Sequence, residues 1–303
     1  MTVCIALRGL SYEGAQSLNP KPAIERIVTI CDRMLSYPDF VVDDAAFKRF
    51  TIHPRWRAMF SGDDIGPVTP IERIVEGHLA GKEGALEEVA DAFRNAFHEH
   101  SHLLAVDSIL GKYGHTIGTW RRNGLEEFGP EEFARINRLI ERVQIGVQFL
   151  VVGFSPEGQG HIFTVQQEWT REGYLRVSVN HHDIDGFSLI GSGTVAALSS
   201  LLRKPLQVLD IQDLIYRACE AKMLAERAPG VGRGTILSVL ECRASDSYVG
   251  ERYLTPDWDL FRKIWQEEGQ PPVPEPAKNI LAESYIRSID WIELKTKRDQ
   301  KPS

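Results

Sequence analysis

The first chemistry this sequence offers is at its start, Met1-Thr2-Val3-Cys4-Ile5-Ala6. Aminopeptidases remove an initiator methionine that precedes a small residue, so a processed chain would begin at Thr2. That residue would then carry a hydroxyl nucleophile and a free α-amine on one Cα. An α-amine has a reference pKa of about 7.7–8.0, so a useful share is neutral near physiological pH and able to take a proton. Threonine activated by its own amine is a recognised class of nucleophile.

Other clusters fit their nearest chemistry less well. In His98-Glu99-His100-Ser101-His102, two histidines lie one helical turn apart. The tract lacks the H-E-x-x-H order of a zinc helix and reads as a solvated helix end, so no metal is expected. His181-His182-Asp183-Ile184-Asp185-Gly186 is one residue short of the HHxxxDG motif of CoA-dependent acyltransferases and reads as a turn. Gly230-Val231-Gly232-Arg233-Gly234 is glycine-rich but precedes a strand, where neither a phosphate loop nor a dinucleotide fingerprint belongs. No cofactor is expected.

The elements that must position a catalytic threonine come next. The pattern predicts strands over 2–7, 25–35, 47–52 and 55–61 with no intervening helix, which suits antiparallel pairing. Loops fall over 8–21 and 36–44. A helix is predicted to start at Thr69-Pro70, with the threonine as N-cap and the proline in the first helical position. Helices follow over 85–97 and 130–143, and 100–127 reads as partly helical. Strands return at 148–154, 161–166, 174–180 and 187–190, then helices at 194–202 and 211–226, then a strand at 236–241. Two antiparallel sheets packed face to face, with helices outside each, satisfy this order. The fold class expected is therefore α+β, a four-layer αββα sandwich. The domain is drawn at 1–243. A C-terminal extension, 244–303, holds a proline-rich linker over 270–276 and a terminal helix over 277–287.

Composition narrows the function classes. The 303 residues are 43% hydrophobic and 25% charged, enough for a core of normal size. A net charge of −7, with no extended Lys/Arg block, argues against a nucleic-acid partner. Cys4, Cys31, Cys219 and Cys242 form no C-x-x-C pair and have apolar flanks, which suits buried, reduced thiols in a cytoplasmic protein. No signal peptide is visible, and the longest apolar run, 143–154, is too short to span a bilayer, so no membrane partner is expected.

On these elements a few positions stand out in order. Thr2 heads the first strand and Asp32 ends the second, in Thr29-Ile30-Cys31-Asp32-Arg33. Lys48 lies on the third, in Phe47-Lys48-Arg49-Phe50, and Gly62 follows the fourth, in Met59-Phe60-Ser61-Gly62. Ser192 lies in Gly191-Ser192-Gly193 at a helix start. Over roughly residues 2–242 the chain resembles the β-type subunits of the proteasome and related bacterial ring proteases, which are N-terminal-nucleophile hydrolases with an αββα sandwich. The resemblance implies that Thr2 is the nucleophile and that Asp32 and Lys48 form the charge pair beside it. It further implies that the Gly62 N–H serves the oxyanion hole and that Ser192 joins the hydroxyl network around the amine. The implied activity is threonine-type hydrolysis of peptide or other amide bonds once Met1 is removed. The implied assembly is a homo-oligomeric ring or stack acting on peptide or protein substrate; no residue here supports an unfoldase partner.

These residue types suit the task. A threonine hydroxyl is a weak nucleophile until a neighbour takes its proton. An ammonium beside it favours the ionised form, and a carboxylate offsets that ammonium's burial. A glycine lets a backbone N–H approach the developing oxyanion. The sequence also departs from the family. The loop after the first strand is longer, and the tail from about residue 244 exceeds the usual β-subunit length. Ala228 and Val231 stand where family members often carry an Asp and a Ser or Thr supporting the amine. Two alternatives follow: a catalytically inactive β-like subunit that assembles or binds, and a small-molecule amidase or acylase on the same sandwich.

Overall fold

The structure, a computed structural model, describes residues 2–11, 24–36, 41–42, 47–62, 65–202, 210–242, 246–268 and 276–280. In chain order, β1 (Cys4–Ser11) and β2 (Ile24–Asp32) lead to a short hairpin, β3 (Leu35–Ser36) with β4 (Val41–Val42), then β5 (Arg49–His53) and β6 (Trp56–Gly62). Helices α1 (Val68–Leu79), α2 (Leu86–Ser108) and α3 (Ile117–Ile140) follow, with a 3-10 turn at Leu110–Tyr113 between the last two. Then come β7 (Val147–Phe154), β8 (Gly160–Trp169), β9 (Leu175–His181), β10 (Phe187–Ile190), α4 (Thr194–Leu201) and α5 (Ile211–Ala225). β11 (Thr235–Glu241), β12 (Gly250–Leu254) and α6 (Trp258–Glu268) close the succession.

The strands form two antiparallel sheets, ordered β10-β1-β2-β11-β12 and β5-β6-β7-β8-β9. Alternation of side chains along each strand splits the apolar residues into three layers. Cys4, Ala6, Cys31, Met59, Leu150, Val152 and Phe154 fill the space between the sheets. Phe60, Phe149, Val151 and Phe163 on the opposite face of the second sheet pack under α1 and α2 through Ile71, Val75, Phe93 and Phe97. Val3, Ile5, Val28, Ile30 and Val239 on the outer face of the first sheet pack under α4, α5 and α6. The α+β, four-layer αββα sandwich is thus the observed architecture.

Several boundaries differ from expectation. α1 starts at Val68 with Pro67 as its N-cap, so Thr69-Pro70 lies inside the first turn, where a proline's missing N–H costs nothing. The helix expected over 85–97 runs on to Ser108, and the one expected over 130–143 begins at Ile117 and bends at Gly129-Pro130. Together α2 and α3 enclose their own small cluster of Leu110, Trp120 and Ile136. β12, for which the sequence gives no strand signal, adds an edge to the first sheet by pairing with β11. Residues 276–280 are helical, and Ala277 packs in the outer core; the remainder of the expected terminal helix, the proline-rich linker over 270–275 and most of the loop 8–21 lie outside the described residues. Among the described residues no helix is long and apolar enough to cross a membrane.

Candidate active site

The register of β1 on β2 builds the centre. Cys4 opposes Cys31, so Asp32 comes alongside Val3 and Thr2. The Asp32 N–H donates to the Val3 carbonyl (3.2 Å), and the Val3 N–H donates back to Asp32 Oδ1 (2.9 Å). Lys48 arrives from the other sheet, just ahead of β5, with its carbonyl held by the Phe60 N–H (3.3 Å). Its ammonium crosses the gap between the sheets to Asp32 Oδ1 and Oδ2 at 3.2 and 3.1 Å. It also donates to Thr2 Oγ1, which in turn donates to Asp32 Oδ1. Thr2, Asp32 and Lys48 are 2%, 0% and 2% exposed, so this triplet is withdrawn from bulk water and its charges depend on one another.

Asp32 is further held by the N–H groups of Met34 (3.2 Å) and Gly232 (3.3 Å). A carboxylate that accepts from this many donors is fixed in position. The Gly232 contact comes from the late loop, where Ala228 and Val231 bring no side-chain oxygen; Val231 instead packs in the outer core. The loop therefore meets the site through backbone.

Gly232 is itself tethered by a residue that sequence reasoning missed. Lys222 on α5 is 1% exposed and donates to the Gly232 carbonyl (2.8 Å) and to Glu226 Oε1 (2.5 Å). Glu226 also accepts from Arg262 on α6 (2.9 and 3.2 Å). Burial pulls the Lys222 ammonium below its ordinary pKa, against the opposing pull of Glu226. The signal was a lysine inside the apolar run Ala218-Cys219-Glu220-Ala221-Lys222-Met223 with a glutamate four residues on.

On the other side, Gly191-Ser192-Gly193 closes over Thr2. The Gly193 N–H (3.3 Å) and Ser192 Oγ (3.4 Å) both donate to the Thr2 carbonyl, and Ser192 Oγ also lies 3.3 Å from the Pro229 carbonyl oxygen. Ser192 thus grips the backbone of the threonine through its carbonyl. Gly191 has φ +97°, and a Cβ there would stand 2.2 Å from the Thr2 carbonyl oxygen, so no other residue fits without displacing Thr2. Gly62, at the end of β6, is similarly confined: a Cβ would meet the Gly146 carbonyl at 2.4 Å. Thr2, Gly62, Gly191 and Ser192 line a cavity of about 350 Å³, and Ser61, Gln148 and Gln166 are among its other lining residues.

The four cysteines are free and buried. Burial pushes the Cys4 thiol well up, which disfavours it as a competing nucleophile next to Thr2. His98 and His102 are exposed on α2. Asp183 accepts from the Ile162 N–H (3.0 Å) and meets His161 Nδ1 (2.7 Å), so His181 ends β9 and residues 182–186 form a turn locked onto β8. Residues 230–234 lead directly into β11. Among the described residues, no group of three or more His, Cys, Asp or Glu side chains could hold a metal.

No family model matches the chain. No curated protein matches it either. Solved structures do. The crystal structure of eukaryotic HslV from Trypanosoma brucei aligns at 16% identity over 80% of this chain and all of that one, with a TM-score of 0.45. A Gly-1 mutant of Anbu from Hyphomicrobium sp. strain MC1 aligns at 11% identity over 88% of this chain and 94% of that one, with a TM-score of 0.51. With its two antiparallel sheets enclosed by helices, the chain shares the fold of that Anbu structure, a four-layer αββα sandwich.

Proposed function

We propose that this protein is a proteasome-like N-terminal threonine hydrolase that cleaves peptide or other amide bonds after losing Met1. The observation that carries the reading is the buried contact of Thr2 Oγ1 with both Lys48 and Asp32 at the edge of a cavity. In this reading the freed Thr2 amine takes the hydroxyl proton as Oγ1 attacks the carbonyl, and Lys48 stabilises the alkoxide. Asp32 holds Lys48 in place, and the Gly62 N–H receives the negative charge on the tetrahedral oxygen. The amine then returns the proton to the leaving nitrogen, and water releases the ester, regenerating the hydroxyl. Ser192 keeps the Thr2 backbone in register for these steps. The family resemblance supports action as a homo-oligomeric ring or stack in the cytoplasm.

A second reading, a β-like subunit that only assembles or binds, is favoured by the late loop, where Ala228 and Val231 offer the amine no side-chain oxygen. Turnover of a fluorogenic peptide panel by the wild type and by Thr2→Ala separates the two. Turnover that disappears in Thr2→Ala supports the hydrolase; equal turnover in both removes Thr2 as nucleophile, and none in either favours the binding subunit.

A further inference from the structure

The inner face of a two-sheet sandwich is normally apolar; here Met59, Leu150 and Ile162 on β6, β7 and β8 follow that pattern, while Arg57 at the start of β6 pairs with the buried Glu251. Toward the Thr2 end the same face changes character. Ser61 pairs directly with Gln148 across β6 and β7. The β7–β8 register, in which Phe149 opposes Val165, carries on to set Gln148 opposite Gln166. Gln166 in turn pairs with Ser178 on β9. Alternation confirms the face: Gln148 shares its side of β7 with Leu150 and Val152, which point toward the other sheet. The result is a cross-strand row of uncharged hydrogen-bonding side chains, of which Ser61, Gln148 and Gln166 border the cavity that Thr2 also lines.

The members of the row differ in how far they are committed. Gln166 Nε2 donates to Glu168 Oε1 (2.8 Å), which leaves its carbonyl oxygen to accept, and Ser178 is tied to Asn180 (3.1 Å). Neighbouring Gln167, on the opposite face, is used structurally: it accepts from the Ile145 N–H and donates to Ser101. The Gln148 side-chain amide bonds to no described residue. It presents both a donor and an acceptor to the cavity that Thr2 also lines.

Building on the proposed hydrolase reading, we infer that this row selects substrates carrying a primary carboxamide, a glutamine or asparagine side chain, next to the attacked bond. A carboxamide gives one donor and one acceptor, the complement of Gln148 with the Gln166 carbonyl. An aliphatic group would strip water from these amides without replacing its hydrogen bonds. A charged group would lose its hydration for neutral partners only.

The test uses binding, so it stands whether or not the protein turns over. Full-length Thr2→Ala protein is titrated with fluorescein-labelled, end-blocked octapeptides differing only at one central position: Gln, Asn, Leu, Lys or Glu. The Gln and Asn peptides are expected to bind about tenfold more tightly than the others, as one to two net hydrogen bonds allow. Gln148→Leu and, separately, Gln166→Leu are expected to abolish that preference, and Gln148→Leu to shift it toward the Leu peptide. Equal affinities, a preference for Leu, Lys or Glu, or no peptide binding overturns the inference. Wild-type cleavage with an apolar preference would leave the hydrolase reading standing while sinking this one. Carboxamide-selective binding without any cleavage would do the reverse.

Discussion

Replacing Asp32 by asparagine keeps the shape of a fully buried side chain and removes its charge. The carboxylate accepts from three backbone N–H groups, of Val3 (2.9 Å), Met34 (3.2 Å) and Gly232 (3.3 Å), and from the Lys48 ammonium (3.1 and 3.2 Å). Asparagine turns one of these acceptor oxygens into an NH2 that faces donors, and leaves Lys48 buried without a counter-charge. Breaking a buried pair from one side costs about 3–5 kcal/mol, and a buried donor left unmade about 1–3 kcal/mol. The two losses share the same atoms, so the total expected is about 3–5 kcal/mol. Urea unfolding at one fixed protomer concentration measures it. Lys48→Met is expected to cost a similar amount, because it strands Asp32 instead. The double variant strands neither charge, so it should be less destabilised than the sum of the singles by about 2 kcal/mol or more. Additive single costs, or an Asp32→Asn cost below about 1 kcal/mol, would refute the coupled buried pair.

Gly191→Ala should cost about 1–3 kcal/mol from its left-handed backbone alone. It should also push Thr2 out of line, cutting peptide turnover about a hundredfold, as read by kcat/KM; near-wild-type turnover would show that the Gly191 contact does not position Thr2. Lys222→Met should cost about 1–3 kcal/mol in urea unfolding, since Arg262 still covers Glu226, whereas Lys222→Arg should recover part of it. Because burial lowers the Lys222 pKa in the folded state, the unfolded chain binds more protons between that lowered value and about 10.4. The wild type should therefore gain stability relative to Lys222→Met as pH rises through that window. A gap that narrows with rising pH contradicts a depressed Lys222.

The order of elements was legible because most strands and helices show one apolar face; 187–190 is observed as expected. The centre was legible because its residue types and their order along the chain resemble a known family. What stayed hidden is where charge or a private core replaces the pattern. β12 gave no strand signal because one of its two inward residues, beside Tyr253, is Glu251, buried between Arg57 (2.9 Å) and Arg49 inside the sandwich. The tract 100–127 looked ambiguous because its helices pack mainly on each other, around Trp120, so few positions need be apolar. Lys222 was overlooked because a lone lysine in a helix ordinarily faces water. Ser192 was expected at the amine and is found donating to the Thr2 carbonyl, a distinction that residue type does not encode.

Loss of Met1 would make Thr2 an N-terminal nucleophile. Intact-mass spectrometry of the purified full-length protein, before and after incubation with a peptidyl electrophile and with the adduct mapped by digestion, tests it most directly. A processed, nucleophilic Thr2 gives a mass lower by one methionine residue and a single adduct on Thr2 that Thr2→Ala does not form. Retention of Met1 on all of the protein, or an adduct that persists in Thr2→Ala, would contradict it.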